Sequence, residues 1–362
     1  MSREPSRNYF AYYGTSGSSE TDGIILQGAS YAPLSLGDSN LISQHAKAGF
    51  LRLNQSSDLM FATEAGEGGV GVVNAFQRDA ESGSLTKVSS GVAGGGGLCH
   101  LNLDRSERWL FAVSYQDAVV SVFPVTEEGQ LGELAQSFKL EGDGSGVDAE
   151  RQEAPHAHSI YADPTNRYLF VCDLGMDRIY VFQLDATSGV LQPAETPFLE
   201  AHPGAGPRHL AFHPNGQWVY AINELNGTIA QYDWSAEAGT LSFKSVVDTL
   251  PGGFEEWNTT AEILVHPSGR FLYGSNRGHD SIVVYAIDEK NGALDLVQRV
   301  SSGGKHPRNF VLDSAGSLLA VANRDSDNVV YFSIDGESGA LEPLETVEGI
   351  PACTCVRLLD RD

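Results

Sequence analysis

The chain has 362 residues and carries 47 acidic against 23 basic side chains, a formal net charge of −24. That excess argues against nucleic acid or an anionic membrane as partner, since both are gripped through basic patches. No apolar run approaches the length of a membrane span, and the N-terminus lacks a charged-then-apolar export signal, so a cytoplasmic location is expected. The four cysteines, Cys99, Cys172, Cys353 and Cys355, show no metal-ligand spacing and are expected as buried, reduced thiols.

In chain order, Met1 to Arg7 is polar and expected to be loose. Asn8-Tyr9-Phe10-Ala11-Tyr12-Tyr13 then reads as a strand, and its pattern recurs. Arg167-Tyr168-Leu169-Phe170-Val171-Cys172-Asp173, a turn, and Arg178-Ile179-Tyr180-Val181-Phe182 form one clear copy. Gln217-Trp218-Val219-Tyr220-Ala221-Ile222-Asn223 with Gly227-Thr228-Ile229-Ala230-Gln231-Tyr232 forms another. Aligned on the fourth residue, the copies fall at Ala11, Phe61, Phe111, Phe170, Tyr220, Tyr273 and Ala320, spaced 50, 50, 59, 50, 53 and 47 residues apart. Each copy has a further strand before this pair and another after a Ser-Gly-x-Leu turn or its relative, such as Ser188-Gly189-Val190-Leu191, where glycine supplies the positive φ. A period near fifty built only of strands predicts an all-β fold: a seven-bladed β-propeller with four-stranded antiparallel blades, forming one domain over residues 8–359. The chain opens on the second strand of a unit, and Ile350-Pro351-Ala352-Cys353-Thr354-Cys355-Val356 resembles the missing first strand. The two terminal strands should therefore share one blade and close the ring, which removes the exposed sheet edge. The longest insertion, Glu141 to Ala154, reads as a solvated excursion.

Positions where the repeat departs from its own pattern point to chemistry. The residues opening the first strand of each unit are Gly49, Cys99, His158, Arg208, Ala261, Arg308 and Ala352; those just past the second strand are Thr15, Ala65, Tyr115, Leu174, Glu224, Arg277 and Arg324. These strands are antiparallel neighbours, so both series lie at one end of the blades, and first strands line the central channel. His158, Arg208, Glu224, Arg277, Arg308 and Arg324 should converge at one mouth of that channel, with His306 bordering it. One histidine, one carboxylate and several guanidiniums suit an anionic, oxygen-rich molecule. Strand alternation turns His209 away from Arg208 and is expected to pack it between blades. His213 and His266, at the opposite strand end, read as structural. No histidine pair has metal-ligand spacing, and Gly94-Gly95-Gly96-Gly97 lacks the lysine and helix of a phosphate loop, so neither metal nor cofactor is implied.

Gly204-Ala205-Gly206-Pro207-Arg208-His209-Leu210-Ala211-Phe212-His213-Pro214-Asn215, followed by Asn223-Glu224-Leu225-Asn226, resembles the seven-bladed propeller 6-phosphogluconolactonases. Ala261-Glu262-Ile263, Pro267-Ser268-Gly269-Arg270 and Asn276-Arg277 are similar to that family's next blade, and His158-Ser159 before Pro164 to its preceding one. The family also holds the fungal 3-carboxy-cis,cis-muconate lactonizing enzymes, whose active-site His, Arg, Glu and Arg fall on His158, Arg208, Glu224 and Arg277. Pro307-Arg308 looks like the phosphogluconolactonase branch, whereas Phe254-Glu255-Glu256-Trp257-Asn258-Thr259-Thr260 departs from both and is placed over the cleft. The resemblance implies hydrolysis of a sugar-acid lactone, 6-phosphogluconolactone first. His158 or Glu224 would be the base, Arg208 and Arg277 the oxyanion donors, and Arg308, His306 and Arg324 the residues holding the substrate. A carboxymuconate cycloisomerase and a non-catalytic platform for acidic ligands are the alternative readings. A small anionic sugar lactone or carboxylate substrate is the partner implied; no obligate protein partner is.

Overall fold

A computed structural model of the chain describes residues 7–17, 22–31, 33–45 and 47–361. Of the terminal segment expected to be loose, residues 1–6 lie outside the described residues, whereas Arg7 already opens a strand. Seven four-stranded antiparallel sheets account for all the described strands. From the axis outward, blade 1 runs Leu51–Leu53, Leu59–Ala65, Val70–Arg78 and Leu85–Gly96. Blade 2 runs Leu98–Leu103, Trp109–Ser114, Val119–Pro124 and Gln136–Lys139, and blade 3 runs Ala157–Ala162, Tyr168–Asp173, Arg178–Asp185 and Val190–Glu200. Blade 4 comprises Pro207–Phe212, Trp218–Asn223, Thr228–Ser235 and Thr240–Asp248; blade 5 comprises Thr259–Val265, Phe271–Arg277, Ser281–Ile287 and Leu294–Ser301. Blade 6 is Pro307–Leu312, Leu318–Asn323, Asn328–Ile334 and Leu341–Glu348. In blade 7 the C-terminal strand Cys353–Arg361 is innermost and pairs antiparallel with Arg7–Thr15, followed by Gly23–Tyr31 and Ser35–Gln44. Each innermost strand touches that of the next blade all the way round, so the ring is closed by the shared terminal blade.

The repeated residues hold blade to blade. Alternating apolar side chains fill the interfaces, as where Phe170, Val219, Ala221 and Trp234 bridge blades 3 and 4. The glycine of each Ser-Gly turn presses on the aromatic residue of the preceding blade. Gly189 has φ +72°, and a Cβ there would sit 2.3 Å from the Trp109 ring. Tyr220 Oη donates 2.7 Å to the Gly292 carbonyl, and Tyr12 Oη 2.8 Å to that of Gly83. Gly189→Ala is expected to destabilise by about 1–3 kcal/mol, since it combines an unfavourable φ with overpacking; chemical denaturation measures it, and an unshifted midpoint would contradict this packing. His213 and His266 do serve structure. Their Nδ1 atoms accept from the N–H groups of Asn215 and Ser268, and their Nε2 atoms lie 2.8 Å from the carbonyls of Gly269 and Gly316 in the next blade.

Candidate active site

The site grows from one recurring irregularity. In the innermost strands the register slips at the same place: between Leu98 and His100, Ala157 and Ser159, Pro207 and His209, and Pro307 and Asn309. In blade 7 Thr354 is skipped, and in blade 5 the slip spans Ala261 and Glu262. A β-bulge leaves one residue unpaired and re-aims its side chain. The unpaired residues are Cys99, His158, Arg208, Arg308 and Thr354, with Ala261 and Glu262 in blade 5. The sequence alignment placed Ala352 in this series; the register puts Thr354 there, because Ala352 belongs to the preceding turn at φ +41°.

Glu224, just past the second strand of blade 4, is the centre of the cluster. Its Oε2 accepts from Arg208 Nε at 2.9 Å and lies 3.0 Å from Arg277 Nη2; its Oε1 accepts from Arg151 Nη2 at 2.6 Å. His158 Nε2 stands 3.9 Å from Oε2. His158, Arg208, Glu224 and Arg277 are all buried, at 2–4 % exposure, so these charges interact with little screening by water. Burial alone would raise the Glu224 carboxyl, but Arg277, Arg208 and Arg151 override it and hold the group well below the usual carboxylate range. Burial, then Arg208, His209 and the neighbouring arginines, push His158 well below its ordinary 6.5, so its imidazole is neutral at physiological pH. Burial lowers Arg277 to about 9 despite Glu224, and lowers Arg308 to about 10 with Arg208 as the next cause.

Two cavities meet at this mouth. One of about 380 Å³ is lined by Tyr115, Arg151, His158, Glu224, Trp257, Arg277, His306 and Arg308. The other, of about 220 Å³, is lined by Lys47, Glu64, Gln116, Arg208, His209 and Thr354, and both share Cys99 and Arg308. The half-buried Arg308 guanidinium forms no ion pair among the described residues and faces both. Trp257, 65 % exposed, rests its backbone and one ring edge against Gly278 and leaves most of the indole open at the rim. The loop 254–260 therefore reaches the cleft through Trp257 and Thr259.

The structure thus brings together His158, Arg208, Glu224, Arg277, Arg308 and His306. Arg324 pairs with Asp325 at 2.6 Å and is not among the residues lining either cavity, although its backbone N–H donates 3.1 Å to the His306 carbonyl beside them. His306 Nδ1 is 3.3 Å from the same Asp325, and its Nε2 is buried without a partner among the described residues. Two expectations are corrected. His209 does not pack between blades, because the bulge at Arg208 breaks strand alternation and turns both side chains toward the channel. Its ring meets those of His100 and His158, each at 5.3 Å. The insertion 141–154 is not merely solvated, since its Arg151 grips Glu224 and the hydroxyl of Tyr115. No repeat comparison finds Arg151, which has no counterpart in other blades; Tyr115 was visible as the one aromatic in its series.

The Cys99 thiol, at the meeting of the cavities, is pushed up to about 12 by burial, so it is no nucleophile at neutral pH. All four cysteines are free. Among the described residues no group of three or more His, Cys, Asp or Glu could hold a metal, and no helix is long and apolar enough to cross a membrane.

Comparison with known proteins agrees with this architecture. A 6-phosphogluconolactonase of Bacillus subtilis is 33 % identical over 305 residues, covering 84 % of this chain and 85 % of its own. One from Formosa agariphila is 35 % identical over 289 residues, covering 77 % and 80 %. Among solved structures, the periplasmic gluconolactonase of Pseudomonas aeruginosa superposes with a TM-score of 0.89 at 29 % identity, over 97 % of this chain and 99 % of that one. The family model described as "Lactonase, 7-bladed beta-propeller" matches residues 10–358, and on that match the chain belongs to this lactonase family.

Proposed function

We propose that the chain hydrolyses a sugar-acid lactone, 6-phosphogluconolactone first, at the guanidinium cluster around Glu224. The observation that carries this reading is an excess of buried positive charge. Three arginines share one carboxylate, and a fourth, Arg308, faces the cavity with no ion pair among the described residues. In a protein of net charge −24, such an island is built for an anion. The lactone relatives supply the chemical class.

Water must attack the ester carbonyl. Both oxygens of Glu224 are already engaged by guanidiniums, which leaves it ill placed to take the water's proton. Neutral His158 takes it, and Glu224 then stabilises the imidazolium. Arg208 and Arg277 stabilise the charge growing on the carbonyl oxygen, and Arg308 holds the phosphate by paired hydrogen bonds. His158 must be unprotonated to act, and its depressed affinity for protons keeps it so well below pH 6.5. The plateau of kcat/KM is therefore expected to extend through pH 6.5 and decline only under more acidic conditions; an inflection centred at 6.5 would remove His158 as the base.

The deciding experiment is hydrolysis across phosphorylated and unphosphorylated aldonolactones. The wild-type protein should prefer the phosphorylated series. Arg308→Ala should collapse that preference by about ten- to a hundredfold, the scale of one lost charge-assisted contact. Turnover of a carboxymuconate but no aldonolactone would establish the cycloisomerase reading. Thermal stabilisation by sugar acids without turnover would establish a binding platform. A phosphorylated preference would suit the cytoplasmic location expected from the sequence, whereas an unphosphorylated preference would suit the periplasmic setting of the Pseudomonas neighbour.

A further inference from the structure

Below the cluster, a chain of buried hydrogen bonds runs through the innermost strands of blades 7, 6, 5 and 4. The Val356 N–H donates 2.9 Å to Asn309 Oδ1, and Arg357 Nη1 donates 3.1 Å to the same atom. This fixes the amide, so Asn309 Nδ2 donates to Glu262 Oε2. The other oxygen, Glu262 Oε1, accepts from the Ile263 N–H at 3.1 Å and faces His209 Nδ1 at 2.7 Å. His209 Nε2 lies 3.1 Å from Arg208 Nη1. A guanidinium can only donate, so Nε2 accepts and the single imidazole proton sits on Nδ1, pointing at Glu262. One backbone N–H at one end and one guanidinium at the other thus set the direction of every bond between them. His209, Glu262 and Asn309 are 3 %, 6 % and 3 % exposed, so the chain is largely shielded from bulk solvent.

Resting on the lactonase reading above, we propose that His209 and Glu262 form a positioning pair that locks Arg208, with His209 held as the Nδ1–H tautomer. Arg208 Nε is taken by Glu224 at 2.9 Å, and Nη1 by the Ala261 carbonyl at 2.8 Å as well as by His209. Among the described residues, Nη2 alone is left without a protein hydrogen bond. The pair therefore holds the fork so that this free arm is the one presented to the developing oxyanion. Such geometric control matters because a donor contributes only when it already sits where charge appears. Depressed proton affinity at His209, from burial foremost, agrees with a neutral ring.

A double-variant cycle tests this. His209→Phe should lower kcat about tenfold or more with little change in KM. In an Arg208→Ala background the same substitution should cost almost nothing further, since the histidine acts only through that arginine. His209→Gln, whose carbonyl oxygen can accept from Arg208, should recover most of the rate. If His209→Phe folds poorly, Glu262→Gln serves instead: it keeps volume but cannot accept all three bonds, and its loss should likewise vanish without Arg208. Nitrogen-15 NMR of the wild-type imidazoles should show His209 protonated on Nδ1. Equal losses in both backgrounds, a full rate for His209→Phe, or an Nε2–H tautomer would overturn the pair. A full rate for Arg208→Ala alone would instead overturn the lactonase role of Arg208, while the NMR result would still report on the tautomer.

Discussion

Arg277→Ala and Arg208→Ala are each expected to lower kcat/KM about a hundred- to a thousandfold, the loss typical of removing one oxyanion donor. Both guanidiniums contact the same Glu224 oxygen, at 3.0 and 2.9 Å, from different blades, and His158 stands at 3.9 Å on that oxygen. His158 and Arg277 line one cavity and Arg208 the other, so a reacting carbonyl placed where the two meet would face base and donors together. Removing either arginine leaves two cations on Glu224, so the carboxylate is not stranded and folding should survive. Arg277→Ala is the cleaner variant, because Arg208 also ties blade 4 to blade 5 through the Ala261 carbonyl. Steady-state kinetics with thermal denaturation separates the two effects. A well-folded Arg208/Arg277 double variant with the wild-type rate would exclude the mechanism.

Glu224→Gln should produce the largest combined loss. The amide preserves shape but leaves Arg151, Arg208 and Arg277 facing one another with no negative charge between them. Breaking a buried ion pair by removing one partner costs about 3–5 kcal/mol. Because the carboxyl's proton affinity is depressed in the fold, its contribution is present above the ordinary carboxylate range and is lost as pH falls through its lowered value. The stability gap between wild type and variant should therefore be widest at neutral pH and narrow in acid. Sulfate or phosphate should raise the melting temperature of the variant more than that of the wild type, by supplying negative charge to guanidiniums left without it. An unchanged melting temperature at neutral pH would mean that Glu224 does not balance the cluster.

The ring was legible because its cause is periodic. Aromatic and β-branched strands, the Ser-Gly turns and the split terminal unit are dictated residue by residue, and each repeats. Most of the candidate site was legible for the opposite reason: His158, Arg208, Glu224 and Arg277 break a rule that the other blades keep. What stayed hidden depends on register. A bulge adds one unpaired residue without any marker in composition, so alternation misdirects His209 and the alignment slips from Thr354 to Ala352. Arg151 comes from a segment with no counterpart, and the guanidinium of Arg324 is paired with Asp325, its neighbour in sequence. Such local pairings are not constrained by the repeat.

The placement of Cys353–Arg361 has a consequence for how the molecule is made. Of the described strands, the one synthesised last lies nearest the axis, and its partner, Arg7–Thr15, is the one synthesised first. Six blades can assemble during translation, but the seventh must wait for its inner strand. Until then, the N-terminal ribbon offers an unpaired edge to any passing extended peptide. Chaperone demand and misassembly should concentrate in that interval.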